Sequence, residues 1–377
     1  MFVPAMVQYT NISLCNTIGA ERKANMVMLR TGAALAALVL AFAGARADPV
    51  ADFYKGKQVS LIVGYGSGGG YDVYGRLFAR HLGRHIPGAP NVIVQNMPGA
   101  GSLRAVNYLY NSAPKEGTAI AIFARDMPLL GIIGHNPNVR FDPRKFTWLG
   151  SSSSYTNDAY FLFVRSDAQV NTIEDARRPG GPPLVLGGTA EGATGNDIAT
   201  VVRDALGFNI KLIAGYPDSN ALFLAVDRKE LDGRFVGLSA TSSSHPEWLM
   251  PNGGMKKLLQ FARVTRHPEF PDVPTARELA LNDKSRALIA LTELPYRLSR
   301  PFAAPPGVPQ ERAQALQKAF LAVHEDPQYL EEAAKLKIDV SPIGGADVLR
   351  AIEHIASAPP EMLDYMKKLL ADNKGGG

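Results

Sequence analysis

The sequence predicts an α/β protein. Apolar strand-like runs alternate with helix-period patterns along most of the chain, and three of those strands run into glycine-rich loops that open helices. The composition agrees: 46% hydrophobic and 20% charged residues with a mean hydropathy of −0.05 fit a soluble globular protein, and 377 residues are enough for two domains. No repeat of solenoid or propeller period is present.

The first 47 residues stand apart from the fold. In "MLRTGAALAALVLAFAGARADPV", Arg30 precedes an apolar run from Ala33 to Ala43, and Ala45-Arg46-Ala47 forms a small-x-small cleavage site. This is the pattern of a secretory signal peptide cut after Ala47, and the run is too short to span a membrane. Glu21, Arg22 and Lys23 lack signal character, so translation is expected to begin later, at Met26 or Met28. Cleavage leaves 36 basic against 34 acidic residues, so the sequence pI of 9.1 overstates the basicity of the exported chain. No Lys/Arg-rich run remains to suggest a nucleic-acid surface. The single cysteine, Cys15, is removed as well, which excludes disulfides and thiolate chemistry.

The elements follow in order. Val59–Val63 reads as a strand, leading through "GYGSGGGYD" into a helix with Tyr74, Leu77 and Phe78 on one stripe. Val92–Gln95 is a second strand, turning at Asn96–Ser102 into a helix carrying Leu103, Val106 and Tyr110. "PKEGTAIAIFA" supplies another short strand. Leu184–Leu186 then repeats the design, with a loop at Gly187–Asp197 and a helix carrying Ile198, Val201, Val202 and Leu206. After Pro305-Pro306 the chain is mainly helical to Asn373, with Ala313, Leu316, Phe320 and Val323 as an apolar stripe.

In parallel sheets, ligands sit outside the carboxyl ends of the strands, where such loops lie. A helix N-terminus offers unpaired N–H groups and the positive end of a dipole, which suits an anion. Three loops of this kind could surround one small anion; each glycine could also serve only a turn. Gly64, Gly66 and Gly69 match G-x-G-x-x-G, the dinucleotide fingerprint. However, the second strand ends in Asn96-Met97-Pro98, without the acid that would hold a ribose, and Asp72 at the helix start would repel a pyrophosphate. The three loops contain no Lys or Arg; Ser67, Ser102, Thr189 and Thr194 supply hydroxyls instead. Neutral donors of this kind point to a weakly charged group such as a carboxylate rather than to a phosphate-transfer site.

No catalytic constellation is apparent. Ser67 has Tyr65 where a nucleophile elbow needs glycine, and no H-E-x-x-H occurs. His81 and His85 are spaced i, i+4 without a nearby acid in sequence, His245 reads as a helix-start residue, and Asp72, Glu191 and Asp197 each read as caps.

The segments "KGKQVSLIVGYGSGGGYDVYGRLFARHL", "VIVQNMPGAGSLRAVNYLYNSAPKEGT", "PDVPTARELA" and "RPFAAPPGVPQERAQALQKAF" resemble the Bug-type extracytoplasmic solute receptors, the substrate-binding components of tripartite tricarboxylate transporters. The resemblance covers essentially the whole exported chain. It implies a two-lobed periplasmic binding protein, type II-like, each lobe a sheet flanked by helices with the ligand cleft between them. Residues 48–154 and 265–377 would form one lobe and 155–264 the other, with Gly150–Asp158 leaving the first lobe and Leu258–Val264 returning to it. Ser151 to Ser154 would line the hinge side of the cleft or serve as a plain linker.

The resemblance further implies that two loops grip a carboxylate from opposite sides, partly through water. The first contributes Tyr65, Gly66, Ser67, Gly69, Gly70, Tyr71 and Asp72, and the second Thr189, Ala190, Glu191, Gly192 and Thr194. Tyr216 lies near a further cleft position or packs in the core. Two departures concern the ligand: Asn196-Asp197-Ile198 stands where family members often have His-Leu-Ala, and Glu191 would exclude highly charged acids or pair with an amino group. The implied role is capture of a small organic acid by a periplasmic monomer that hands it to membrane permease subunits, without cofactor, metal or catalysis. The alternatives are a receptor feeding a sensor kinase and an enzyme on the same α/β cleft.

Overall fold

Eleven strands form two mixed sheets among the described residues, which are 48–134, 136–154, 159–189 and 193–372 of the computed structural model. The expected signal peptide, Cys15, and the loop residues Ala190, Glu191 and Gly192 fall outside them. The first sheet contains β1 (Gln58–Val63), β2 (Asn91–Asn96), β3 (Ala119–Ile122) and β4 (Thr147–Ser151). The second contains β5 (Tyr160–Arg165), β6 (Leu184–Gly187), β7 (Ile210–Ile213), β8 (Gly233–Gly237) and β9 (Met255–Phe261). β10 (Pro301–Ala304) and β11 (Ile343–Gly344) return to the first. The spatial orders are β11-β4-β10-β3-β1-β2 and β7-β6-β8-β5-β9.

β1 pairs in parallel with β2 and β3, and β6 in parallel with β7 and β8, as strand–loop–helix units require. β10 joins antiparallel between β3 and β4, and β5 antiparallel between β8 and β9. The expected strands thus appear within a residue or so of their sequence bounds, except that the return strand ends at Phe261. The antiparallel partners were invisible in the sequence because their pairing is set by segments far away in the chain.

Packing follows the apolar stripes. Tyr74, Leu77 and Phe78 of the Gly70–His85 helix are buried against Val59, Leu61 and Val63 of β1. Phe78 also lies 4.5 Å from Phe302 of β10 and 5.4 Å from Phe320 of the Gln310–Glu325 helix, between ring centroids. Each such ring contributes roughly 2–3 kcal/mol of burial, so the first sheet is bound to the late helices as firmly as to its own. Around the second sheet, Val201, Val202 and Ala205 share a core with Leu162, Leu184 and Leu186. Leu288, Ile289 and Leu291 of the Asp283–Glu293 helix, and Met366 and Leu370 of the Pro360–Asp372 helix, join that same core. Both helices come from the segment grouped with the first lobe in the sequence. A helix settles where its apolar face finds cover, and chain order does not report that.

Ser151 to Ser154 are all buried at the exit from β4, and none lines the cleft described below. Several of their polar groups are met by residues around the first sheet. Ser151 Oγ donates to Ser153 O (2.8 Å) and accepts from Arg300 N (3.0 Å), while Ser154 N donates to Ser341 Oγ (2.9 Å). The ring of His324 has Nδ1 at 2.7 Å from Phe320 O and Nε2 at 2.8 Å from Ser152 Oγ. A carbonyl only accepts, so Nδ1 donates and Nε2 takes the serine proton, which is the neutral imidazole. Burial holds its pKa down, at about 4.

Candidate functional site

The carboxyl ends of β1 and β6 face a cleft of about 780 Å³ of empty space, counting its open mouth. On the first side, β1 runs into Gly64–Gly69 and the Gly70–His85 helix begins. Gly69 stands at the N-cap, where it has no side chain to bond the helix N–H groups, so these face the cleft lined by Gly66, Gly69 and Gly70. The loop is shaped by Asp72, which is buried and does not line the cleft. It accepts from Gly68 N (2.8 Å), Arg76 Nε (2.8 Å) and Asn96 Nδ2 (2.7 Å). Burial alone would raise its pKa, but those hydrogen bonds and the charge of Arg76 outweigh it and hold the carboxyl below its usual range. Ser67 reaches only this acid (3.4 Å). Asp72 and Ser67 therefore position the loop.

The second glycine loop is structural. Residues 99 to 102 all have positive φ, including Ala100 at 46° and Ser102 at 87°. A serine in that region is strained, and the compensation is its hydroxyl, which donates to Gly64 O (3.2 Å) and accepts from Ala124 N (3.1 Å). Ser102 thereby ties the end of β1 to the end of β3, with no part in the cleft lining. Ser102→Ala should lower the thermal midpoint by an amount worth about 1–2 kcal/mol, since it leaves a buried carbonyl and a buried N–H unpaired. An unchanged midpoint would contradict this role.

On the second side, β6 ends in Gly187-Gly188-Thr189, and the Thr194–Leu206 helix begins behind Ala193, again an N-cap without a capping side chain. Thr189, Ala193, Thr194, Gly195 and Asn196 line the cleft. The third helix start is one the sequence did not suggest: that of Ser219–Asp227, with Asp218 and Ser219 at the wall. Asp218 caps this helix through Ala221 N (2.9 Å). Tyr216 is absent from the lining and packs against the apolar cluster that includes Phe223 and Trp248.

Three arginines also line the cleft: Arg125 just beyond β3, Arg234 in β8 and Arg300 just before β10, each at most 4% exposed. Arg125 lies over the rings of Tyr160 (5.4 Å) and Tyr296 (5.0 Å), and its Nε donates to Tyr71 Oη (3.3 Å). Arg300 lies 4.7 Å over the Tyr71 ring, which itself stacks on Tyr65 at 4.8 Å. The loops are free of cations, as the sequence shows, but the cleft is not. The expectation of neutral donors alone is corrected, because strands far apart in the chain bring guanidinium groups to it. The signal was there: "FARDM", "DGRFVG" and "LSRPFAA" each set an arginine against a buried apolar run, where a charge must be paired or used.

Hydrogen bonds cross between the two sides among the described residues, one of them Ser243 Oγ to Leu336 O (3.1 Å). Thr194 Oγ1, in the first turn of its helix, donates to Asp126 Oδ2. Burial pushes the Asp126 carboxyl up to about 6, against the opposing effects of Arg125 and this hydrogen bond.

No enzymatic arrangement replaces this picture. His81 and His85 do have acids nearby, contrary to their sequence surroundings: Glu332 and Asp326 meet them at 3.2 and 2.8 Å, in contacts shared with Arg80 and Arg84 that join two helices. No cluster of three or more His, Cys, Asp or Glu is placed to hold a metal among the described residues. His245 stacks on Phe223 (4.0 Å) and pairs with Asp227 (3.3 Å).

The fold and this cleft define a periplasmic-binding-protein architecture, and the comparisons agree. The chain is 26% identical over 317 residues to the UPF0065 protein of the gbd 5′ region of Cupriavidus necator, covering 82% of this chain and 88% of that one. It superposes on the periplasmic binding protein BugD with a TM-score of 0.65 at 19% identity, covering 84% of this chain and 98% of BugD. MatC of Rhodopseudomonas palustris, solved with bound malate, gives a TM-score of 0.59 at 17% identity, covering 83% of this chain and 99% of MatC. No family model matches the chain. The expected fold is borne out: the chain is similar in sequence to UPF0065 proteins and shares the fold of the binding protein BugD and of a TctC solute-binding protein from Polaromonas. Both of those structural neighbours are themselves binding proteins.

Proposed function

We propose that this protein is a periplasmic receptor that captures a small carboxylate-bearing compound in the cleft and delivers it to the permease subunits of a tripartite transporter. The observation that carries the reading is the meeting of two uncapped helix N-termini, at Gly70 and Thr194, with buried guanidinium groups on one cavity. N–H groups at such ends and cations beside them both favour an anion. MatC, with malate bound, offers the same fold in use for an organic acid. In this reading the chain is exported with cleavage after Ala47 and works as a monomer. The lobes are residues 48–154 with 265–377 and residues 155–264, with the Asp283–Glu293 and Pro360–Asp372 helices packing across onto the second sheet, and closure removes bulk water from the ligand. Tyr65, Gly66, Gly69, Gly70, Tyr71, Thr189 and Thr194 contact the acid, and Ala190, Glu191 and Gly192 complete the second-lobe loop.

The test is a thermal-shift screen of the protein after unfolding and refolding to strip carried-over ligand, with mono-, di- and tricarboxylates, amino acids, NAD and ATP. A matching acid at about a hundredfold over its dissociation constant should stabilise by about 2.7 kcal/mol, a shift of several degrees. A shift with NAD alone would make the glycine fingerprint functional and overturn the receptor reading.

A further inference from the structure

Of the three cleft arginines, Arg234 is the one carried by a strand. It sits in the middle of the second sheet, only 4% exposed, with its ring partner Phe223 at 4.4 Å. A guanidinium carries five N–H groups. Among the described residues, two of them are used: one terminal nitrogen donates to Ser219 O (2.7 Å) and the other to Ser219 Oγ (2.9 Å), while Nε has no partner. No ion pair with a described carboxylate is formed, although the charge of Asp218 does act on Arg234. Ser219 opens a helix, so the cation is also held against the positive end of a helix dipole. A buried charge so placed is costly by itself. Burial lowers its pKa to about 10, which still leaves it charged at neutral pH.

The cost is offset once an anion enters. The uncapped helix starts at Gly70 and Thr194 serve a first acidic group. Arg234, on β8 with Ser219, Leu222 and Phe235 beside it in the lining, faces the same cavity. We propose that Arg234 is the specificity-determining residue of this receptor, taking a second acidic group of the ligand, so that compounds with two anionic ends are selected over those with one. The assignment rests on the acid-receptor reading and deepens it.

Calorimetric titration of the refolded natural chain, Arg234→Gln and Arg234→Lys, with succinate against butyrate and adipate against hexanoate, decides it. The natural chain should bind at least one diacid about tenfold to a hundredfold more tightly than its monoacid, the range of a charge-assisted hydrogen bond. Arg234→Gln should erase that preference by bringing diacid affinity down to that for the monoacid, and Arg234→Lys should keep part of it. Unliganded Arg234→Gln should melt no lower than the natural chain, because the buried cation is a cost when nothing answers it. If Arg234→Gln does not fold, equal affinity of the natural chain for diacid and monoacid still overturns the assignment. A preference that survives in Arg234→Gln overturns it alone, leaving the acid receptor intact. Binding of no acid by the natural chain overturns both.

Discussion

At pH 8, Asp126→Asn should melt several degrees above the natural chain, and the gap should close as the pH falls through 6 toward 4. The sign follows from the folded carboxyl, which burial raises to about 6 from an ordinary 3.8. A raised pKa means that the stability due to this group is fully present below the unfolded value and is lost as pH rises through the folded one. Above pH 7 the buried carboxylate therefore costs on the order of 3 kcal/mol. Asparagine cannot ionise, and its side-chain oxygen still accepts the proton of Thr194 Oγ1. The check is a pair of thermal melts at several pH values. A variant less stable than the natural chain at pH 8 would show that the attraction of Arg125 exceeds the burial cost.

The second large effect is at Gly233, the residue before Arg234. β8 lies antiparallel to β5, with Gly233 opposite Val164. A Cβ added there would sit 2.0 Å from the Phe163 carbonyl oxygen and 2.9 Å from the Val164 Cα. Both are backbone atoms of a central strand, so no rotamer can relieve the clash, and the two strands must separate. Gly233→Ala should cost at least about 3 kcal/mol, read as a lower urea midpoint with an unchanged slope. It should also weaken diacid binding, because the strand that moves carries Arg234. An unchanged midpoint would mean that the β5–β8 register is looser than described.

How much of this was legible beforehand divides along one line. Features written in one stretch of chain were readable: β1, its glycine loop, and the stripe of Tyr74, Leu77 and Phe78 that commits the next helix to the sheet. The same holds for β6 and its helix. What depends on distant segments was not. The second glycine loop has the composition of an anion site, but Ser102 turns its hydroxyl to Gly64 and Ala124 instead. The helix start at Ser219 reaches the cleft though no glycine loop precedes it. Arg125, Arg234 and Arg300 are separated by more than sixty residues each, and only the two sheets bring them to one cavity. Asp72 illustrates the middle case. Its place at the helix start was readable, whereas its bonds to Gly68 N, Arg76 and Asn96 show it holding the loop rather than the ligand.

The measurement closest to the central claim is a calorimetric titration of the refolded protein with small dicarboxylates, repeated on Ala240→Trp. Ala240 lines the cleft without a part in the anion-facing groups, and an indole there fills the space a ligand would occupy. The receptor account predicts saturable binding of at least one acid at a single site per chain, abolished in Ala240→Trp. Absence of binding by every acid, or binding that persists unchanged in Ala240→Trp, would contradict it.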